Sequence, residues 1–289
     1  MFLWACIDGV VLGSIYVLIA LGLVLIYGVL EIPDFSQAGL YTLAAYFTFT
    51  GTRLLHLPYL VALPISIGIV ILMGVGIERV AYRPLQRKPP ESLLIVALGL
   101  LFILDNLALF IWGHEHKSIS IAGLTGHSLT FWGRSFAPER ALVIAVSAVL
   151  IFLLHLLLMH TKTGDAIRAI FQNREAAVLM GIHIGHIRAT TFGISCILTA
   201  IAGSLIGAVF SVFPNMGDYI VVKGFGAIIL GGMGSVLGAA VGGLIIGIAE
   251  SLGATFLSTA YKDLFAFVVI ILVLLFRPAG LFGAKERIG

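Results

Sequence analysis

The stretch GVVLGSIYVLIALGLVLIYGV, residues 9–29, contains no charged side chain. A helix needs about 20 consecutive apolar residues to cross the hydrocarbon core of a bilayer. The residues before this stretch carry no basic segment, and no small-residue cleavage pattern closes a short apolar region, so a removed signal peptide is not predicted. The stretch therefore predicts a retained first transmembrane helix.

The composition extends this prediction to the whole chain. Of the 289 residues, 60% are hydrophobic and 11% are charged, and the mean hydropathy is +1.12. An ordinary soluble domain carries about 25% charged residues. A soluble fold of this size could not hide so much apolar surface, so soluble enzymes are excluded. Short connections leave no sizeable domain outside the membrane, and we expect one membrane domain over residues 1–289.

Seven further apolar runs follow the first, separated by short polar stretches. They are 36–52, 58–77, 92–112, 141–159, 189–212, 220–252 and 263–276. These runs predict an all-α bundle of about eight or nine transmembrane helices. The run 220–252 is too long for one crossing and is interrupted at residues 231–235, so it counts as two segments. Whether 36–52 and 220–235 cross the bilayer or re-enter it stays open.

The basic residues indicate the orientation of the bundle. They concentrate in three stretches, 79–88, 162–188 and 277–287, which the positive-inside rule places in the cytoplasm. The connection 113–140 balances its charges and is flanked by Trp112 and Trp132, as is typical of an external loop with interfacial aromatic residues. Alternation from the first cytoplasmic stretch places the N-terminus outside.

The cytoplasmic connection 161–188 contains small and apolar residues among charged ones. This pattern predicts one or two short amphipathic helices parallel to the membrane, ending at Gly181. Such a helix joins two spanning helices and can transmit force from a soluble partner. The residues Glu175, Ala176 and Ala177, followed after three residues by Gly181, match the E-A-A-x-x-x-G core of the signature in membrane subunits of ABC importers. A later I-x-L-P is absent, and an ordinary surface helix is the alternative.

Five stretches in this order resemble the permease subunits of branched-chain amino acid ABC importers. They are 9–28, 78–85, 173–182, 230–235 and 275–283. The resemblance implies a multi-pass subunit of the bacterial inner membrane that forms the translocation path for a small polar solute. It implies two separate ATP-binding subunits, a second related permease in a heterodimer, and a periplasmic solute-binding protein. The family also includes importers of urea and short amides.

The resemblance also implies which residues act. Arg174, Glu175, Ala176, Ala177 and Gly181 would contact the ATPase, which hydrolyses ATP, so the chain itself is not an enzyme and needs no cofactor.

One segment departs from the family pattern. After the first helix the family shows a stretch like Asn-Phe-Ala-His-Gly, and here residues 33–39 read PDFSQAG. Phe35 and Gly39 remain, whereas Asp34 replaces Asn and Gln37 replaces His. If the segment contributes to the translocation path through Asp34, Phe35 and Gln37, substrate choice differs from that of the typical member.

Polar residues inside apolar runs are candidates for the path, because an unpaired charge at the bilayer centre costs at least about 2.5–3.5 kcal/mol. Asp105 lies in the middle of 92–112, beside Asn106. We expect Asp105 to face the bundle interior, either in the path or in a structural hydrogen bond. Glu250 lies near a helix end beside Ser251, where anchoring at the membrane interface is the favoured role.

Glycines recur at spacings that suit close helix packing. Gly234, Gly238 and Gly242 are four residues apart, as are Gly9 and Gly13, and such ridges let two helices approach closely. A moving or pore-lining helix is the alternative. The run 231–235 is not a phosphate loop, because no Lys-Ser/Thr pair follows it.

Other functions find less support in the sequence. The two cysteines lie far apart without neighbouring ligands, and the histidines are scattered, so neither a disulfide nor a metal site is predicted. The net charge of +3 is too small to indicate nucleic acid, and membrane lipid is the expected surrounding. A self-contained secondary transporter or channel remains the alternative function, although midplane ion ligands and inverted repeats are not apparent. A membrane enzyme would need a cluster of His, Asp or Glu. The solute itself stays open.

Overall fold

The computed structural model describes residues 1–85, 88–119, 121, 129–131, 134–258 and 261–283, with 129–131 and 134–136 described by their backbone. Trp132, Arg87 and the last residues of the third basic stretch lie outside the described residues.

Eleven helices and one hairpin make up the described part of the chain. They are α1 (Phe2–Leu30), α2 (Ser36–Arg53), α3 (Tyr59–Ile77), α4 (Pro90–Trp112), β1 (Leu129–Phe131), β2 (Arg134–Phe136), α5 (Pro138–His160), α6 (Lys162–Gln172), α7 (Arg174–Leu179), α8 (Ile184–Val209), α9 (Met216–Gly231), α10 (Val236–Phe256) and α11 (Lys262–Phe276). A π-helix, Glu78–Tyr82, and a 3-10 turn, Arg83–Leu85, continue α3. Strands β1 and β2 pair antiparallel.

Six described helices are long and apolar enough to cross a membrane. They are α1, α3 with its continuation to Leu85, α4, α5, α8 and α10. The prediction of a helical membrane protein is confirmed, and each predicted run coincides with a helix. Among the described residues α9 and α11 are shorter, with 16 and 15 residues, and α2, with 18, is not one of the six. The expected count of eight or nine crossings is therefore met only in part.

Helix α1 is the centre of the bundle. In an apolar 18-residue stretch of α1, 89% of the residues are buried, compared with 22% in the corresponding stretches of α3 and α5. Glycines allow α1 to approach its neighbour closely. A Cβ at Gly13 would lie 3.0 Å from the Leu244 Cα, and one at Gly9 would lie 2.7 Å from the Ile248 Cα. The backbones of α1 and α10 therefore pack directly on each other.

Helix α10 carries two glycine ridges that face different neighbours. Gly243 and Gly247 face α1, whereas Gly238 and Gly242 lie against the backbone of Gly231 and Ala227 on α9. Gly234 does not belong to either ridge, which corrects the sequence-based expectation. It lies in the turn before α10 with φ +88°, and nothing lies within 4 Å of the place where a Cβ would stand. Helix α10 begins only after this glycine, because Ser235 caps the helix by accepting from the Gly238 amide.

Candidate functional site

A cavity of about 590 Å³ opens between the ends of six helices. Residues from α1, α5, α8, α9, α10 and α11 line it, and α1, α5, α9 and α11 contribute their N-terminal halves. These ends lie opposite the three basic stretches, which the positive-inside rule predicts to be cytoplasmic. The volume is within the range of about 300–1,000 Å³ that small-molecule sites occupy.

A buried ion pair forms the inner wall of the cavity. The Lys223 Nζ on α9 donates to both carboxylate oxygens of Glu250 on α10, each at 2.8 Å. Asp263 Oδ1 on α11 lies 2.7 Å from the same Nζ. The Tyr16 hydroxyl on α1 accepts from Lys223 at 3.2 Å and donates to Glu250 at 2.7 Å. Four helices therefore meet at one cation.

Further charges stand at the outer rim. Arg140 on α5 forms an ion pair with Asp8 on α1, and Lys262 lies 4.0 Å from Glu250. The residues that line the cavity thus include three cations and three carboxylates, namely Arg140, Lys223, Lys262, Asp8, Glu250 and Asp263. Aliphatic and aromatic residues, among them Leu12, Val209 and Phe213, fill the remaining wall.

Lys223 was not predicted as a site residue, and Glu250 does not have the role predicted for it. Glu250 is 2% exposed and bonds Lys223, so the favoured role as an interface anchor is wrong. The available signal was Lys223 itself, a lone cation in the apolar run 220–252, together with a carboxylate 27 residues later. An intramembrane charge marks a functional site by default.

The segment 33–39 forms a separate buried network. Asp34 Oδ1 accepts from the Tyr82 hydroxyl at 2.5 Å and from the Ser36 amide at 2.9 Å. Gln37 Nε2 donates to Asp34 Oδ2 at 3.4 Å, and Gln37 Oε1 accepts from the Thr199 hydroxyl at 2.7 Å. The network joins the start of α2 to the π-helix and to α8.

Phe35 points elsewhere, since its ring lies 5.1 Å from that of Phe225 on α9. Among the residues described around the cavity, neither Asp34 nor Gln37 contributes to the wall.

Asp105 and Asn106 face different sides of α4. Asp105 is 5% exposed and lies near Asp218 on α9, and its Oδ1 has no hydrogen-bond partner among the described residues. Its burial agrees with the expected inward orientation. Asn106 is exposed and donates to the Phe102 carbonyl at 2.7 Å. The structure therefore brings Asp34 and Gln37 together, and it places Asp105 beside α9 and Asn106 on the outer surface.

The connection 161–188 contains two short helices, α6 and α7. The Thr161 hydroxyl accepts from the Gly164 amide at 3.0 Å, and the Asn173 side chain accepts from the Ala176 amide at 3.0 Å. These are N-caps, which supply partners for otherwise unpaired helical amides. Gly181 follows α7 with φ +84°, a conformation that favours glycine.

Helix α7 has an anchored face and an exposed face. Ala177 is 4% exposed and packs with Val29 of α1 and Ile170 of α6. Its side chain therefore holds α7 on the bundle, which corrects the expectation that both alanines face a partner. Arg174 is half-buried, and the exposed surface consists of Glu175, Ala176, Val178, Leu179 and Met180.

Comparison with known proteins gives one consistent result. The family described as "Branched-chain amino acid transport system / permease component" matches residues 5–274. The high-affinity branched-chain amino acid transport system permease protein BraD of Pseudomonas aeruginosa is 34% identical, with 99% of this chain and 97% of that protein covered. LivH of Escherichia coli K12 is 35% identical over 99% of this chain and 96% of its own length.

A more distant relative and a solved structure agree. The probable permease LivH of Methanocaldococcus jannaschii is 31% identical over 96% of this chain and 91% of its own length. The structure titled "PsaBC from Streptococcus pneumoniae in complex with Fab" is similar in fold, with a TM-score of 0.51 at 12% identity, covering 95% of this chain and 91% of that chain.

Proposed function

Because the chain belongs to the family of branched-chain amino acid transport permease components, we propose that it conducts a branched-chain or related amino acid across the inner membrane. It is a multi-pass permease subunit of an ABC importer. It is not an enzyme, and a separate subunit hydrolyses ATP. The similarity over residues 5–274 carries this conclusion, and the external cavity between the spanning helices supports it.

The proposed architecture is a single permease domain over residues 1–289 with eight or nine crossings. In this arrangement α2, α9 and α11 cross together with the six longer helices. The turn between α9 and α10 supports it, because Gly232 packs against Gly283, which lies within the third basic stretch. Alternation likewise expects this turn on the cytoplasmic side. The connection 161–188 is then cytoplasmic and 113–140 external.

The proposed partners follow from this arrangement. ATP-binding subunits dock on α7, a second related permease completes a heterodimer, and a periplasmic binding protein delivers the solute. Membrane lipid covers the exposed apolar faces of α3, α4 and α5. The exposed side chains of Glu175, Ala176 and Leu179 support α7 as the docking helix, since an apolar surface with one acidic residue suits a groove with a basic rim.

Asp34 and Gln37 have a positioning role in this proposal. Their hydrogen bonds fix the start of α2, and Phe35 contacts α9, which also carries Lys223. Asp105 meets α9 through Asp218. Of the path residues predicted from sequence, Phe35 and Asp105 thus act through α9, whereas Asp34 and Gln37 act through the start of α2.

Two measurements test the proposal on the chain expressed with its candidate partners. Leu179→Glu on α7 should abolish co-purification of the ATP-binding subunit, because a charge enters the apolar docking surface. Leu55→Glu is the matched control, because both leucines are largely exposed, Leu55 at 64% and Leu179 at 87%. Leu55 lies away from α7, in the α2–α3 connection. Proteoliposomes containing the complex should import L-leucine only with ATP and the binding protein.

Contrary results are equally specific. Retained co-purification in Leu179→Glu would remove α7 as the docking helix. Leucine uptake by this chain alone would replace the proposal with a secondary transporter. Competition by urea or short amides, without competition by leucine, would move the substrate to the other solutes of the family.

A further inference from the structure

The cavity combines features that the similarity to permeases does not assign to any residue. Its charges are balanced, with three cations and three carboxylates, and its remaining wall is largely apolar. A negatively charged solute would favour an excess of cations, and a positively charged one an excess of carboxylates. Balanced charges of both signs next to apolar side chains instead match a solute that carries both charges and an aliphatic group.

The Lys223–Glu250 pair is the best-placed part of this cavity. Lys223 is 6% and Glu250 is 2% exposed, near the middle of α9 and in the last third of α10. Removing two charges from water is costly, and a buried pair is often no more stable than two apolar residues of similar volume. A pair retained beside a cavity in an apolar bundle therefore calls for a role besides stability.

The surrounding groups allow the pair to exchange partners. Lys223 contacts two carboxylates, those of Glu250 and Asp263. The Tyr16 hydroxyl bonds both members of the pair. If a ligand carboxylate takes one contact of Lys223, the other carboxylate and the tyrosine hydroxyl still neutralise and orient the ammonium group. Glu250 is then free to accept from a ligand ammonium group.

We propose that this cavity binds the amino acid on its way through the membrane. The solute carboxylate contacts Lys223, the solute ammonium group contacts Glu250, and the aliphatic side chain packs on Leu12, Val209 and Phe213. Arg140 and Asp8 at the rim offer the same two charges to a solute arriving from outside. This inference rests on the proposed function, because it names the site at which that function recognises its solute.

The test uses the importer complex in lipid nanodiscs without the binding protein, so that this cavity is the site measured. Radiolabelled L-leucine is the probe. L-Leucinamide lacks the carboxylate and 4-methylpentanoate lacks the ammonium group. We expect each to displace leucine about tenfold less well than unlabelled leucine, since each loses one charge-assisted contact.

Variants identify the residues. Lys223→Met and Glu250→Gln should each lower the leucine affinity about tenfold or more. The double variant Lys223→Met/Glu250→Met removes both members of the buried pair. It leaves Asp263 without its lysine contact, but that side chain is 43% exposed, so the variant should fold and still lose binding. Lys162→Met, at an exposed site on α6, is the matched control and should bind as the wild type does.

The outcomes separate the two proposals. A folded double variant with unchanged leucine affinity, or equal displacement by all three competitors, would assign the pair a structural role only. Wild-type import without measurable leucine binding by the complex would also overturn the inference while the proposed function stands. Failure of the wild-type complex to import leucine with ATP and the binding protein would overturn the proposed function itself.

Discussion

Arg188 at the start of α8 and Glu78 in the π-helix after α3 form an ion pair in which each side chain is 2% exposed. The Arg188 Nε donates to Glu78 Oε1, and the two Nη atoms have no hydrogen-bond partner among the described residues. Tyr82, four residues after Glu78, bonds Asp34. One π-helical turn therefore joins the base of α8, which follows α7, to the start of α2.

Breaking the Arg188–Glu78 pair should destabilise the protein. Glu78→Met or Arg188→Met alone leaves one uncompensated buried charge, which costs about 3–5 kcal/mol. The double variant Glu78→Met/Arg188→Met removes both charges and should recover much of that loss. Unfolding in SDS, followed by circular dichroism, measures the free energies. A double variant as unstable as the sum of the singles would contradict this account.

The Tyr82 hydroxyl should contribute measurably to stability. Tyr82→Phe removes the 2.5 Å hydrogen bond to the buried Asp34 carboxyl group, and leaving a buried polar group without a partner costs about 1–3 kcal/mol. Tyr261→Phe is the matched control, because Tyr261 is 61% exposed. SDS-induced unfolding should show the loss in Tyr82→Phe and almost none in Tyr261→Phe. Equal stability of both variants would mean that Ser36 and Gln37 satisfy Asp34 without the tyrosine.

The positions of the helices followed from the sequence, whereas their mutual contacts did not. The run 92–112 became α4, Pro90–Trp112, and 141–159 became α5, Pro138–His160, because the bilayer thickness fixes the length of an apolar segment. Asp105 and Asn106 show what the sequence alone could not predict, which is the side of the helix that packs on a neighbour. Neighbouring helical residues point about 100° apart, and only the packing of α4 on α2 decides which of them is buried.

Long-range pairing explains why the cavity was missed. Lys223 bonds Tyr16, 207 residues away, and Glu250, 27 residues away. A single sequence carries the residue types but not these distances. The spacing of Gly238 and Gly242 was sufficient to predict close helix packing. The role of Gly234 could not be predicted, because it depends on α10 beginning after the Ser235 cap.

Alanine substitution of a glycine should have opposite effects in the α1–α10 contact and on the exposed surface of α4. Gly247→Ala places a Cβ against the backbone of Gly13 and Gly9, and forcing such overpacking costs about 1–3 kcal/mol. Gly99→Ala on α4 meets nothing within 4 Å and should stabilise its helix by up to about 1 kcal/mol. The yield of monodisperse protein in detergent and the melting temperature check both signs. A stabilising Gly247→Ala would mean that α1 and α10 do not pack backbone to backbone.

The docking of α6 on α1 predicts a variant that separates ATPase binding from transport. A side chain at Gly28, near the C-terminal end of α1, would overlap the ring of Phe171 on α6. Gly28→Val should therefore displace α6 and alter how motion of α7 reaches α1, while the exposed surface of α7 stays intact. We expect ATP-binding subunits to co-purify at the wild-type level, ATP hydrolysis to continue, and leucine import to fall severalfold. Gly185→Val is the control, because Gly185 has open space at the start of α8. Loss of co-purification in Gly28→Val would instead show that α6 forms part of the docking surface, and unchanged import would show that the α1–α6 contact does not transmit the ATPase motion.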